Sequence, residues 1–240
     1  GAIALGTILF NFIYWGFGFL RMGTTGLTAQ AYGKSDPEES LWVLLRALAV
    51  AWGASILLII LQYPIVELGL TLMKGEEEIK QIAKSYFLIR IYAAPATIGL
   101  YAFHGWFLGM QNARIPMALT ISVNLANILL NIWFVVSLGM KADGVALATV
   151  IAQYIGLGIA IAIFWRAYRK QLHIFSWKKL FDLNAFESFF RVNASLFLRT
   201  LCLIFVFSFF VSESAAEDSF TLAANQILLQ YLHLMAYGVD

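Results

Sequence analysis

Charge is scarce in this chain. Asp, Glu, Lys and Arg together make up 12% of its 240 residues, where soluble domains carry about a quarter. Hydrophobic residues account for 61%, more apolar surface than a water-soluble core of this length can hide. The formal net charge is only +2, so no basic face marks a nucleic-acid partner. A single cysteine, Cys202, excludes an internal disulfide. Absent as well are HExxH, GxSxG and Walker motifs and any paired His/Cys cluster, so no enzyme chemistry, metal centre or resident cofactor is predicted.

What the chain has instead is a series of long apolar runs, at roughly residues 2–33, 41–73, 84–110, 115–140, 144–166, 191–212 and 219–240. Each approaches or exceeds the ~17–25 residues that span a bilayer. In lipid every backbone N–H and C=O must be paired within the protein, which leaves helices or closed barrels. Barrel strands alternate over ~10 residues, and these runs are too long and too uniformly apolar for that. The sequence predicts an all-α membrane protein, a polytopic helical bundle. Residue 1 lies at or inside a span and Asp240 ends the sequence in mid-helix, as expected of a fragment of a longer protein.

Loop charge orients the bundle. One set of alternate loops carries Lys34, Arg46, Arg114, Arg166, Arg169, Lys170, Lys178, Lys179 and Arg191; in the other set lysines are diluted by Glu76, Glu77, Glu78 and Asp143. The first set faces the cytoplasm by the positive-inside rule. The longest polar connection mixes Phe175, Trp177, Phe181 and Phe186 with basic residues, and two readings fit it: an amphipathic helix on the inner surface, or an ordinary loop. Taken as a linker, it divides the chain into residues 1–166, a linker at 167–190, and residues 191–240. A faint repeat, residues 3–12 over 222–231, also places Arg21 over Asp240.

Polar residues inside the spans are the functional candidates. Asn124, Asn127 and Asn131 fall at i, i+3 and i+7 and share a helical face. Two readings fit such a stripe: hydrogen-bond glue between helices, or a cation or substrate site facing a water-filled cavity. Thr149 and Gln153, four apart on the next span, return to a comparable depth, where Thr149 is placed to meet Asn127 and Asn131. Arg90 and Arg199 are expected to snorkel, whereas Arg21 and Asp240 are candidates for charge between lobes or in a cavity. His104, His173 and His233 are isolated, and packing or interfacial roles are expected of them. Pro64 and Pro95 predict kinks, and Trp42, Tyr86, Trp165 and Trp177 interfacial anchors. Phe10, Phe12, Tyr14 and Trp15 fit either lipid-facing packing or an apolar cavity wall.

Four segments carry a family resemblance: GFLRMGTTGLTAQAYG at residues 18–33, GVALATVIAQY at 144–154, NASLFLRT at 193–200 and LAANQILLQYLHLMAYGVD at 222–240. Together they resemble the multidrug and toxic compound extrusion (MATE) family, in its DinF-like branch. The resemblance implies two six-helix lobes, with this chain as helices two to eight: most of the amino-terminal lobe, the linker, and the start of the second lobe. It implies a monomeric antiporter in the bacterial inner membrane, without a cofactor, that exports amphipathic and often cationic small molecules in exchange for H⁺ or Na⁺. The family's Asn, Asp and Thr positions fall on Asn127, Asn131 and Thr149, so Asn stands where the family has Asp; its helix-one Asp would precede residue 1. A lipid-linked oligosaccharide flippase of related fold and a seven-helix receptor are the alternatives.

Overall fold

The computed structural model describes residues 2–72, 77–169, 183–217, 225, 227–232 and 235. Every regular element among them is helical. In chain order these are α1 (Ala2–Gly16), α2 (Gly18–Gly33), α3 (Pro37–Ile60), α4 (Gln62–Leu72), α5 (Glu77–Arg90), α6 (Ala94–Gly109), α7 (Arg114–Asn131), α8 (Ala142–Tyr168) and α9 (Leu183–Glu217). A 3-10 turn at Ile91–Ala93 joins α5 to α6, and a π-helical turn at Ile132–Ser137 extends α7. Among the described residues five stretches are long and apolar enough to cross a membrane: Pro37–Ile60, Glu77–Gly109, Arg114–Ser137, Ala142–Tyr168 and Phe189–Phe207. The chain is an all-α, polytopic membrane protein.

The first expected span does not reach that standard. The first run breaks at Phe17, whose N–H bonds to the Tyr14 carbonyl at 3.0 Å, leaving α1 and α2 each too short by itself. Of the last run, at 219–240, only residues 225, 227–232 and 235 are described; Asp240, His173, His233 and Trp177 and most of the stretch read as an amphipathic linker lie outside the described residues. The prolines interrupt rather than bend. Pro64 sits in the first turn of α4, just after the break at Leu61, and Pro95 in the first turn of α6, just after the 3-10 turn. A first-turn proline costs little because its missing N–H would have had no intrahelical partner.

Two compact units are present, Gly1–Ala194 and Ser195–Asp240. In the first, α2 packs on α6 and α3, α6 on α3 and α8, α5 on α1 and α8, and α7 on α8. Its core holds Phe10, Leu20, Leu44, Phe87, Trp106 and Phe107. Trp106 lies edge-on to Phe107, Phe164 and Tyr168, with ring centroids 4.8–5.5 Å away. Its indole N–H reaches the Ser40 carbonyl at 2.9 Å, as a buried indole requires. Trp42 and Tyr86 are buried too; they are core residues, not the interfacial anchors their place in the sequence suggested. At the turn between α2 and α3, Asp36 accepts the Glu39 N–H at 2.9 Å and Pro37 opens α3, an N-cap with acidic residues at the positive end of the helix dipole.

Small residues set the closest approach. A Cβ at Gly105 would lie 2.4 Å from the Arg21 carbonyl oxygen, and one at Gly109 would lie 2.5 Å from the Thr28 Cβ. Two glycines four apart let backbones touch where hydrocarbon supplies no hydrophobic drive, so van der Waals contact must hold the pair. Gly105→Leu should therefore lower stability by about 1–3 kcal/mol through overpacking, read as a fall in the unfolding midpoint of the detergent-solubilised protein; an unchanged midpoint would mean that α2 and α6 do not pack this closely.

Candidate functional site

Among the described residues, α1, α5, α6 and α8 enclose a cavity of about 370 Å³ lined by Asn11, Tyr14, Trp15, Arg90, Ala93, Thr97, Tyr101, Thr149 and Gln153. Each helix contributes a polar edge at helical spacing: Arg90, Thr97 and Tyr101 across the α5–α6 joint, and Thr149 and Gln153 on α8. One cation and no carboxylate line the wall.

Arg90 is the feature the sequence reading missed. It lies near the middle of the 33-residue Glu77–Gly109 span, about 20 Å from the nearer end at 1.5 Å per residue. Its guanidinium turns inward, onto neighbouring side chains. Its Nη1 donates to the Tyr86 hydroxyl at 2.7 Å and more weakly to the Thr7 hydroxyl at 3.4 Å. The guanidinium also sits over the Phe10 ring at 4.8 Å and near the Tyr86 ring at 5.5 Å, contacts that stabilise a desolvated cation. Tyr86 can take this place because a Cβ on Gly6 would fall 2.4 Å from its ring, so α1 meets α5 edge to face. The Arg90 Nε is buried without a partner, and among the described residues Arg90 has no ion pair. Two acidic groups on helices packed against α5 are engaged elsewhere: Asp143 of α8 accepts from Ser85 at 2.8 Å, and Glu67 of α4 pairs with Lys84.

On its α8 side the cavity meets a chain of amides. Asn131 donates from Nδ2 to Asn127 Oδ1 at 2.9 Å, Asn127 donates to the Thr149 hydroxyl at 3.2 Å, and Thr149 donates to the Val145 carbonyl at 3.0 Å. The run ends on an open acceptor, Asn131 Oδ1, which is buried and unpartnered. Immediately beyond, the backbone widens into the π-helical turn, a distortion often found at functional positions. Asn124 does not join the chain; it is exposed. The α7–α8 seam follows an i, i+4, i+8 ridge through Val123, Asn127 and Asn131. Val123 seats where a Cβ on Gly156 would come within 2.2 Å, which turns Asn124 outward.

The other candidates fall apart from this centre. Arg21 is exposed and does not line the cavity. His104 is half-buried with an unpartnered Nε2, and Arg199 is exposed in the second unit. Phe10 and Tyr14 are buried while Trp15 lies on the cavity rim; the side chain of Phe12 lies outside the described residues. No group of three or more His, Cys, Asp or Glu that could hold a metal occurs among the described residues.

Comparison with known proteins fits this frame. The MatE family model matches residues 1–133. The chain belongs to the MATE family. It is 35% identical over all 240 residues to DNA damage-inducible protein F of Escherichia coli, of which it covers 52%. Multidrug and toxin extrusion protein 1 of Pongo abelii is 29% identical over 169 residues, covering 68% of this chain and 28% of that protein. The chain thus spans about half the length of its bacterial relative or less of the others. A solved outward-facing conformation of a multidrug resistance MATE family transporter superposes over 99% of this chain and 52% of its own, with a TM-score of 0.81 at 18% identity. A MOP superfamily transporter from Pyrococcus furiosus, described as having a binding pocket of reverse polarity, superposes over 97% of this chain and 52% of its own, with a TM-score of 0.79 at 18% identity. At those identities the superpositions establish the fold.

The Asn127–Thr149 contact makes a quantitative prediction. In a double-mutant cycle of Asn127→Ala and Thr149→Val, the coupling in unfolding free energy should be about 0.6 kcal/mol, in the range measured for hydrogen bonds between membrane helices. Additive effects of the two changes would contradict the contact.

Proposed function

We propose that this chain forms part of an ion-driven exporter of the bacterial inner membrane, monomeric, that expels small amphipathic molecules in exchange for H⁺ or Na⁺ by alternating access. The observation that carries the reading is a polar cavity among apolar helices, joined through Thr149 to a directional run of amides. A hydrated chamber walled by aromatic rings and a few hydrogen-bonding groups suits a substrate that is itself part apolar and part polar.

The amides act in this reading as neutral support for the coupling ion. The Asn131 carbonyl can accept from a hydronium ion or ligate Na⁺ through one lone pair, but it cannot release a proton or carry charge. The charge that makes ion binding depend on conformation therefore comes from a carboxylate outside this sequence, consistent with the family's helix-one Asp. A coupling ion shifts the balance between outward-open and inward-open states only by its difference in affinity for the two. The flippase alternative would call for several cations facing a pyrophosphate, and the cavity wall carries one.

The full-length protein, reconstituted in proteoliposomes and assayed for dye efflux under imposed pH or Na⁺ gradients, tests this. Asn131→Asp adds an ionisable group to the amide run and should shift the pH profile or Na⁺ dependence of export. An unchanged profile in both respects would remove Asn127, Asn131 and Thr149 from the coupling path.

A further inference from the structure

We infer that Asn193 is a latch: seated against Gly23 of α2, it fixes the start of α9 in one state of the transport cycle and leaves that seat in the other. The inference rests on the alternating-access reading above. It gives a task to two segments the sequence set apart, GFLRMGTTGLTAQAYG at residues 18–33 and NASLFLRT at 193–200, which meet at this point. A Cβ on Gly23 would lie 2.2 Å from the Asn193 Oδ1 and 2.7 Å from its Cγ, so only glycine leaves room for the amide. Asn193 is 1% exposed, and Phe189, one turn earlier on the same face of α9, is 2% exposed within the hydrophobic core. Both count with the first compact unit, which ends at Ala194, yet α9 runs on as unbroken helix to Glu217. Any movement carried by the second unit therefore reaches Asn193 through the helix itself. Neither proline nor glycine occurs in α9, and those are the residues at which helices commonly kink. Such movement lifts this turn from its seat rather than bending α9.

The contact is built to separate cleanly. Asn193 donates from Nδ2 to the Phe189 carbonyl at 2.7 Å, inside its own helix, and among the described residues its Oδ1 has no hydrogen-bond partner. No hydrogen bond from this amide crosses to α2, so withdrawal breaks none and opens a buried acceptor to water. Water has a way in. One turn along α9, Phe189 lines a cavity of about 320 Å³ together with Lys34, Asp36, Glu39 and Arg46. Arg46 is buried there and pairs with Glu39 at 2.9 Å. These ionic groups gather at the turn between α2 and α3, where opening a seam to water costs far less than opening it to hydrocarbon. A seam that only holds closes on small residues, as α2 does on α6 at Gly105 and Gly109.

The test uses the full-length protein, freed of its native cysteines and reconstituted in proteoliposomes. The Gly23 Cβ position lies 2.7 Å from the Asn193 Cγ, one bond from that residue's own Cβ, so the pair Gly23→Cys/Asn193→Cys is close enough for a disulfide, which needs about 3.5–4.5 Å between Cβ atoms. Oxidation should join the two thiols within one chain and abolish dye efflux; reduction of the same protein should restore it. In a second variant, Asn193→Cys alone, an imposed pH or Na⁺ gradient that drives turnover should raise labelling by a membrane-impermeant thiosulfonate, because the thiol is reachable only with the latch open. That arm decides the matter if the paired variant does not fold. Undiminished efflux by the bridged protein would overturn the latch and leave the transport reading standing. Failure of the pair to bridge, or labelling of Asn193→Cys that no gradient changes, would overturn it as well. A wild-type protein that exports nothing under either gradient would sink both readings.

Discussion

Hydrocarbon offers no hydrogen bonds, and that constraint decides where each polar side chain of this protein can sit. A guanidinium or an amide placed at mid-membrane must find protein, water or substrate. Arg90 finds one hydroxyl at 2.7 Å and two aromatic faces. Asn131, Asn127 and Thr149 find one another in a single direction, ending on the Val145 carbonyl. These two solutions meet at the same cavity, where Thr149 and Arg90 share the wall. The apolar packing of α2, α3 and α6 serves mainly to hold that cavity in shape.

Helix interruptions are part of the same design. The α5–α6 span breaks at Ile91–Ala93, directly after Arg90, and Pro95 follows in the first turn of α6. A 3-10 turn tightens the backbone there and turns Arg90, Thr97 and Tyr101 onto one wall. A second distortion, the π-helical turn after Asn131, marks the far end of the amide run. Both lie beside the chemistry, and Gly6, Gly105, Gly109 and Gly156 permit the close approaches that bring the neighbouring helices to it.

Much of this was legible in the residues alone. Apolar runs of about 20 residues predict helices in lipid without ambiguity, and the four quoted segments carry the family. Spacing also brought Asn127, Asn131 and Thr149 to one depth, since two amides four apart must share a face and the short turn at 138–143 fixes how α8 returns. Three things were hidden. Hydrophobicity does not register a lost backbone hydrogen bond, so the break at Phe17 left no mark, whereas Pro64 and Pro95 marked those at Leu61 and Ile91–Ala93. An i, i+3, i+7 pattern cannot show which edge of its stripe a neighbour takes, and the close contact of Val123 with Gly156 sent Asn124 outward. Arg90 was assigned to snorkelling because the apolar run seemed to begin at residue 84. In the structure its guanidinium instead turns inward onto Tyr86 and Phe10. The spacing of Arg90, Thr97 and Tyr101 at i, i+7 and i+11 was the available signal of a polar face.

That this face borders water rather than lipid is the claim on which the account turns, and thiol labelling reads it directly. In a full-length background freed of every native cysteine, Cys202→Ser included, Thr97→Cys should react with a membrane-impermeant thiosulfonate supplied to both sides of the membrane. Leu129→Cys, on the exposed apolar face of α7, should stay inert. Labelling at Leu129→Cys with none at Thr97→Cys would mean that the wall of Arg90, Thr97 and Thr149 is dry, and no substrate or ion path could run through it.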